Sequence, residues 1–364
     1  VRDILEEVAG WHAEGTRFAL ATVVRTWKSS PRQPGASMAV AETGEAVGSV
    51  SGGCVEGAVY ELAQEVLQTG VPAKQAYGIQ DDDAFAVGLT CGGILEIFVE
   101  PVDVPRYPEL PDVLAAVRGQ HGLAVATVVE GPGDVGHRIV VGADTLSGSL
   151  GSADLDHSVA GIARGMLEHG TTGVVHVGEN GEQRMDQLTV FVESFAPAPQ
   201  MIVFGAIDFA GAVVRAGKFL GYRVTLCDAR PVFATAKRFP DADEVVVDWP
   251  HRYLAGRDVD ERTVLCVLTH DPKFDVPLLE LALRSKAGYI GAMGSRRTHE
   301  DRLTRLREIG MDEQSLSRLS SPIGLDIGAR TPEETAVSIV AEIIALASGG
   351  SGRRLSETGT AIHR

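Results

Sequence analysis

The stretch VFGAIDFAGAVVRAGKFLGYRVTLCD, residues 203–228, decides the fold of the part of the chain that holds it. A β-rich run enters a glycine turn, an amphipathic helical segment follows, and a second β-rich run ends on an acid, Asp228. This is the order of a dinucleotide-binding unit, in which an acid about 20 positions after the turn faces a ribose. The glycine fingerprint is incomplete, because its three positions fall on Gly205, Ile207 and Ala210. A branched side chain thus stands where backbone should approach a pyrophosphate. Downstream, DEVVVD, TVLCVLTH and AGYIGAMG alternate with helical periodicity, which predicts a parallel sheet wrapped by helices on both faces. Residues 199–347 are therefore expected to form a Rossmann-like domain, and residues 348–364 a flexible tail.

Upstream of the proline-rich linker APAPQ (196–200) the pattern changes, and it repeats. RFALATVV (17–24) matches GLAVATVV (122–129), AVGSVSGGCVEGAVYELAQEVLQTG (46–70) matches TLSGSLGSADLDHSVAGIARGMLEHG (145–170), and LEIFVEPV (95–102) matches LTVFVESF (188–195). Two copies of one helix-strand-strand-helix-strand unit are expected, the first over residues 1–103 and the second, with the linker, over 104–198. The fold class is α/β, an N-terminal α+β region of two pseudo-repeats followed by a C-terminal Rossmann-like parallel sheet.

The copies differ at a cysteine. Opposite Gly52, Gly53 and Cys54 the second copy has Ser152, Ala153 and Asp154, and opposite Cys91 it has no cysteine. Thiols needed only for packing should recur, so the asymmetry favours function over the alternative of drift between the copies. Cys54 lies where a glycine loop becomes a helix, a place whose N–H groups favour a thiolate or another anion. Cys91, in GLTCGG, is also flanked by glycines that let backbone approach a ligand. As thiolates the two can hold a sulfur, a soft metal or each other. Cys227 and Cys266 sit in apolar strands, where inert buried thiols are the norm.

Charged side chains supply the remaining candidates. Arg32, in SSPRQPGASM, can clamp an anion bidentately or simply belong to a surface loop. His270 and Asp271, in LTHDPKFD, and the GSRR segment follow strands of the parallel sheet, where open α/β folds bind ligands. Ser295 is placed to cap a helix whose positive end carries Arg296 and Arg297, a candidate anion site. In SPIGLDIGARTPEETAVSIVAEI, Thr331 and Glu334 are spaced as a capping box with Pro332 at the first helical position, and Asp326 lies in a tight polar loop before it.

Composition sets outer limits. Hydrophobic residues make up 44% of 364 and charged residues 23%, ordinary for a globular protein. A net charge of -16 argues against nucleic acid, whose phosphates need clustered cations. No apolar run is long enough for a membrane span, and the start shows no secretory layout, so a cytoplasmic protein is expected. The four cysteines lack C-x-x-C spacing, which indicates neither a zinc site nor a disulfide framework.

Taken together, SSPRQPGASM, GSVSGGCVEG, GLTCGG, GYIGAMGSRR and SPIGLDIGARTPEETAVSIVAEI resemble the XdhC/CoxI family, over about 330 residues and in the family's order. The resemblance implies an accessory protein for molybdenum hydroxylases such as xanthine dehydrogenase and carbon monoxide dehydrogenase. Such a protein binds the molybdenum cofactor, as molybdopterin or its cytidine dinucleotide form, promotes its sulfuration and delivers it to the apo-enzyme. The resemblance also implies a cysteine desulfurase as partner, a homodimer, and Cys54 and Cys91 as the family's cysteines, with Cys54 the metal contact. GAIDFA departs from the family's GAGHVA-like turn. The leading expectation is thus a cofactor chaperone without turnover of its own. An NAD(P)-dependent oxidoreductase, and a sulfurtransferase carrying a persulfide on Cys54, are the alternatives.

Overall fold

A computed structural model describes residues 1–27, 32–78, 93–183 and 185–359. The first copy runs α1 (Leu5–Ala13), β1 (Phe18–Trp27), β2 (Ser37–Ala41), β3 (Ala46–Gly48), α2 (Glu56–Thr69), β4 (Ala73–Tyr77) and β5 (Ile94–Val102). The second runs α3 (Leu110–Arg118), β6 (Leu123–Glu130), β7 (Arg138–Val141), β8 (Leu146–Ser149), α4 (Ala153–His169), β9 (Gly173–Val177) and β10 (Leu188–Phe195). Their sheets have one topology, β3-β2-β1-β5-β4 and β8-β7-β6-β10-β9, with all pairs antiparallel.

Antiparallel strands usually alternate apolar and polar residues, yet β1 is buried from Phe18 through Val24. Both its faces are covered. Ala19, Ala21 and Val23 pack under Val59, Ala63 and Val66 of α2. Phe18 and Leu20 share a core with Leu123, Val125 and Phe195 of the other copy, so the two sheets lie against each other. A small second cluster of Val24, Phe98, Val129 and Phe191 extends that contact. Inside it Arg138 donates to Glu100 at 2.6 Å, both only 6% exposed, with the guanidinium 3.9 Å from the Tyr107 ring centroid.

The chain divides into two compact units, Val1–Pro197 and Ala198–Thr358. The second contains β11 (Gln200–Phe204), α5 (Asp208–Phe219), β12 (Arg223–Asp228), β13 (Glu244–Val247), α6 (Pro250–Ala255), β14 (Val264–Val267), α7 (Pro272–Arg284), β15 (Tyr289–Ala292), α8 (Arg296–Glu308), α9 (Glu313–Leu316), β16 (Leu319–Ser320) and α10 (Pro332–Ser348). Its strands are parallel in the order β13-β12-β11-β14-β15-β16, the order of a doubly wound dinucleotide fold. In β11, Met201 and Val203 face a core with α5 and α10, while Ile202 and Phe204 face one with α6 and α7. Burial on both faces explains the uninterrupted apolar run. After α10 the described chain continues to residue 359 with one short 3-10 turn, Leu355–Glu357.

Candidate functional site: the Cys54 turn and the switch-point crevice

The two copies diverge in backbone where they diverge in sequence. In the second, Ser152 is an extended N-cap whose Oγ accepts the Leu155 N–H, and α4 begins at Ala153. In the first, the equivalent Gly52 and Gly53 take φ of +81° and +116°, and α2 begins only at Glu56. The intervening Gly53, Cys54 and Val55 are unwound. A left-handed φ costs an ordinary residue about 1–2 kcal/mol, which is why glycines stand there. A Cβ on either would meet no atom within 4 Å, so this backbone faces open space.

Glu56 holds the turn in that shape. Its Oε1 accepts the N–H groups of Ser51 (2.9 Å) and Gly52 (3.0 Å) and the Ser49 hydroxyl (2.6 Å). Its Oε2 accepts those of Gly53 (2.9 Å) and Val55 (3.2 Å) and the Ser51 hydroxyl (2.5 Å). Partial burial alone would raise this carboxyl, but the two hydroxyls and the backbone donors outweigh it and bring it down to about 2. The N–H groups expected to receive an anion therefore already serve the chain's own carboxylate. The Cys54 N–H goes to Ser51 Oγ at 2.9 Å, and its half-buried side chain packs at the edge of the α2 core. Cys91 lies outside the described residues, and among those described no three His, Cys, Asp or Glu side chains gather as a metal site.

Arg32 lines a different cavity, of about 400 Å³, with Arg2, Gln33, Glu193 and Ser194. It donates to Asp3 at 2.9 Å, and neither Cys54 nor its glycines line that cavity.

In the second unit a crevice of about 470 Å³ opens at the carboxyl ends of β11, β12 and β14, where strand order reverses. Ile207, Asp228, Arg230, Thr269, His270 and Phe274 are among its lining residues. Gly205 is required by packing, since with φ +110° a Cβ would stand 3.0 Å from the Thr269 amide nitrogen. Asp228, 2% exposed, accepts the Ala206 N–H at 2.7 Å and holds Arg230 through both carboxylate oxygens at 3.0 and 2.9 Å. Burial opposes its ionisation, but Arg230 and the backbone donors win and keep the carboxyl below its ordinary range. The acid expected to read a ribose is thus already engaged, and the exposed carboxylate of Asp208 occupies the first turn of α5, where a pyrophosphate would need positive potential.

His270 is exposed at the crevice, and Asp271 caps α7 by accepting the Lys273 N–H at 3.1 Å. Ser295 caps α8 through the Thr298 N–H at 3.1 Å; Arg296, Arg297 and Asp326 are exposed and line none of these cavities. The Thr331–Glu334 capping box is present. Cys227 and Cys266 are fully buried, which pushes both thiols up to about 12.

Two features escape the sequence reading. Glu56 is one, although an acid at the same place in both copies, Asp156 in the second, was a signal: Asp156 likewise accepts the Ser149 hydroxyl, at 2.9 Å. The other is a buried pair behind the crevice. Arg302, 3% exposed on α8 and buried like Leu306 of the same helix, donates to Asp275 at 3.0 Å, to the Met293 carbonyl at 2.9 Å and to Ser321 at 2.9 Å. Asp275 also accepts the Thr269 hydroxyl, so the pair ties the crevice floor to α7 and α8.

Residues 201–343 match the family model described as the XdhC Rossmann domain, and residues 11–78 and 116–178 match that of the XdhC and CoxI family. A Bacillus subtilis protein described as a probable xanthine dehydrogenase component is 29% identical over 333 residues, covering 89% of this chain and 92% of that protein. The molybdenum cofactor insertion chaperone PaoD of Escherichia coli is 26% identical over 329 residues, covering 90% of this chain and 83% of its own. The crystal structure of a Bacillus halodurans protein described as a xanthine dehydrogenase superposes with a TM-score of 0.69 at 28% identity, over 98% of this chain and 97% of that one. Matched by family models in both units, and by relatives along nearly its whole length, the chain belongs to the XdhC/CoxI family.

Proposed function

We propose that the protein is an accessory chaperone that takes the molybdenum cofactor as cargo and passes it, after sulfuration, to a molybdenum hydroxylase of the xanthine dehydrogenase type. One observation carries the reading to a residue: in a chain akin over 90% of its length to an insertion chaperone, only the first copy unwinds its helix start, and it does so around a cysteine. A soft sulfur beside open backbone suits a dithiolene-bound metal. On this reading Cys54 contacts the metal or carries the incoming sulfur, Cys91 assists it, and a cysteine desulfurase supplies the sulfur in the cytoplasm. Because Glu56 takes the N–H groups of the turn, the anionic part of the cargo has to be met by other groups, for which Arg32 is the candidate in the same unit; His270, Arg296 and Arg297 are candidates for anion contacts of the second unit by itself. Gly205 and Asp228 shape the crevice of the second unit, while Ser295 caps α8 and Asp326 lies in the loop before α10.

The test is expression in a host that makes the cofactor, followed by measurement of the pterin that co-purifies. Wild type should carry it, and Cys54→Ser should lose most of it with an unchanged Tm. Equal pterin content in the two proteins would remove Cys54 from the site. An oxidoreductase reading is tested by titration with NAD(H) and NADP(H), for which no saturable binding is expected given Ile207, Asp208 and the engaged Asp228.

A further inference from the structure

The turn around Cys54 contains its own control, the second copy. Both copies use an acid in the same place to catch a serine hydroxyl: Glu56 bonds Ser49 and Asp156 bonds Ser149. The shorter Asp156 then reaches one further donor, the Leu150 N–H at 2.6 Å, and the helix starts at Ala153. The longer Glu56 reaches the N–H groups of Ser51, Gly52, Gly53 and Val55, and the helix starts later. The extra methylene accompanies the extra bonds, and these bonds draw the backbone on both sides of Cys54 toward one carboxylate. Were those residues helical, as in the second copy, their N–H groups would point along the helix axis and residue 54 would lie in the first turn, as Asp154 does.

We infer that Glu56 is the positioning residue of the Cys54 turn: its carboxylate substitutes for an external anion, keeps Gly52–Val55 out of the helix, and so sets where the thiol stands. The inference rests on the reading of Cys54 as a contact for the cargo, but the geometry it predicts can be measured without any cargo. The carboxyl is held far below neutral pH, so the turn keeps its shape across the pH range of a cell.

The decisive variant is Glu56→Asp in the full-length chain, which gives the first copy the second copy's acid. Amide hydrogen exchange is read first, on cargo-free protein well below its Tm. The Gly53 amide should exchange at least about tenfold faster than in wild type, because the shorter acid releases it, whereas the Gly52 amide also reaches Ser49 Oγ at 2.9 Å and should change less. Pterin retained after co-expression should fall by about tenfold, as when a group that orients a ligand is removed, with Tm within about 2 °C of wild type. The reciprocal Asp156→Glu should leave retention at the wild-type level. If Glu56→Asp does not fold, Glu56→Gln replaces it, since an amide cannot accept on both sides. Unchanged exchange, or wild-type retention with accelerated exchange, would overturn the positioning role. Wild-type retention by Cys54→Ser would instead overturn the reading of the site, and the exchange data alone would then decide the geometry.

Discussion

A carboxylate that gathers four backbone N–H groups and two hydroxyls, as Glu56 does, links local shape to acidity. Its folded pKa lies below the unfolded value, so the stabilisation is complete above about pH 4.5 and is lost as pH falls toward about 2. Glu56 is partly solvated, which discounts the effect to on the order of 1 kcal/mol. Denaturant melts of wild type and Glu56→Ala should therefore differ at pH 7, draw together below about pH 4.5 and converge as pH nears about 2. Asp228 behaves in the same sense. Asp228→Ala should cost about 1–3 kcal/mol by leaving the buried Ala206 N–H without its acceptor, and this loss should also shrink in acid, as measured by the same melts. That Asp228 ends a strand was legible from the alternation of β-rich and helical runs. That it holds Arg230 was not, because the fingerprint describes spacing and leaves open which partner fills the carboxylate.

Turns and paired strands carry the next set of consequences. Gly48 and Gly148 sit at one place in the two copies with φ of +83° and +80°, and a Cβ on either would lie 2.3 or 2.4 Å from a carbonyl oxygen of the neighbouring strand. Gly52, by contrast, has open space around it. Gly48→Ala should therefore destabilise the protein clearly more than Gly52→Ala, whose cost is limited to the left-handed φ, about 1–2 kcal/mol; thermal melts of both check the order. The Glu100–Arg138 pair makes a sharper case. Opposite Thr22 on β1 stands Ser37, whereas opposite Thr127 on β6 stands Arg138, so only one copy offers a cation at that register. Arg138→Met should cost about 3–5 kcal/mol by stranding a buried carboxylate, and adding Glu100→Gln should recover part of it in a double-mutant cycle. No periodicity reveals such a pair, since Arg138 follows a loop and reads as a polar strand end.

At the scale of the molecule, two units with separate cores imply separate melting. Calorimetry of the full chain should resolve two transitions, and Arg302→Met, which breaks the buried Asp275 pair in the second unit, should lower one of them only. The architecture was legible because repetition and alternation are patterns that packing imposes on sequence: the sheet that buries both faces gives continuous apolar runs, and the repeated topology gives repeated segments. The candidate site was legible only at its cysteine and glycines, where the copies disagree. Its governing carboxylate belongs to what they share. That the two sheets cover each other carries a further meaning for descent. A chain with one copy would leave Phe18, Leu20 and Phe98 wet and would have to associate with a twin. Joining both halves in a single polypeptide fixes that partnership at unit stoichiometry and lets the halves diverge independently, as they do at Cys54 and Asp154.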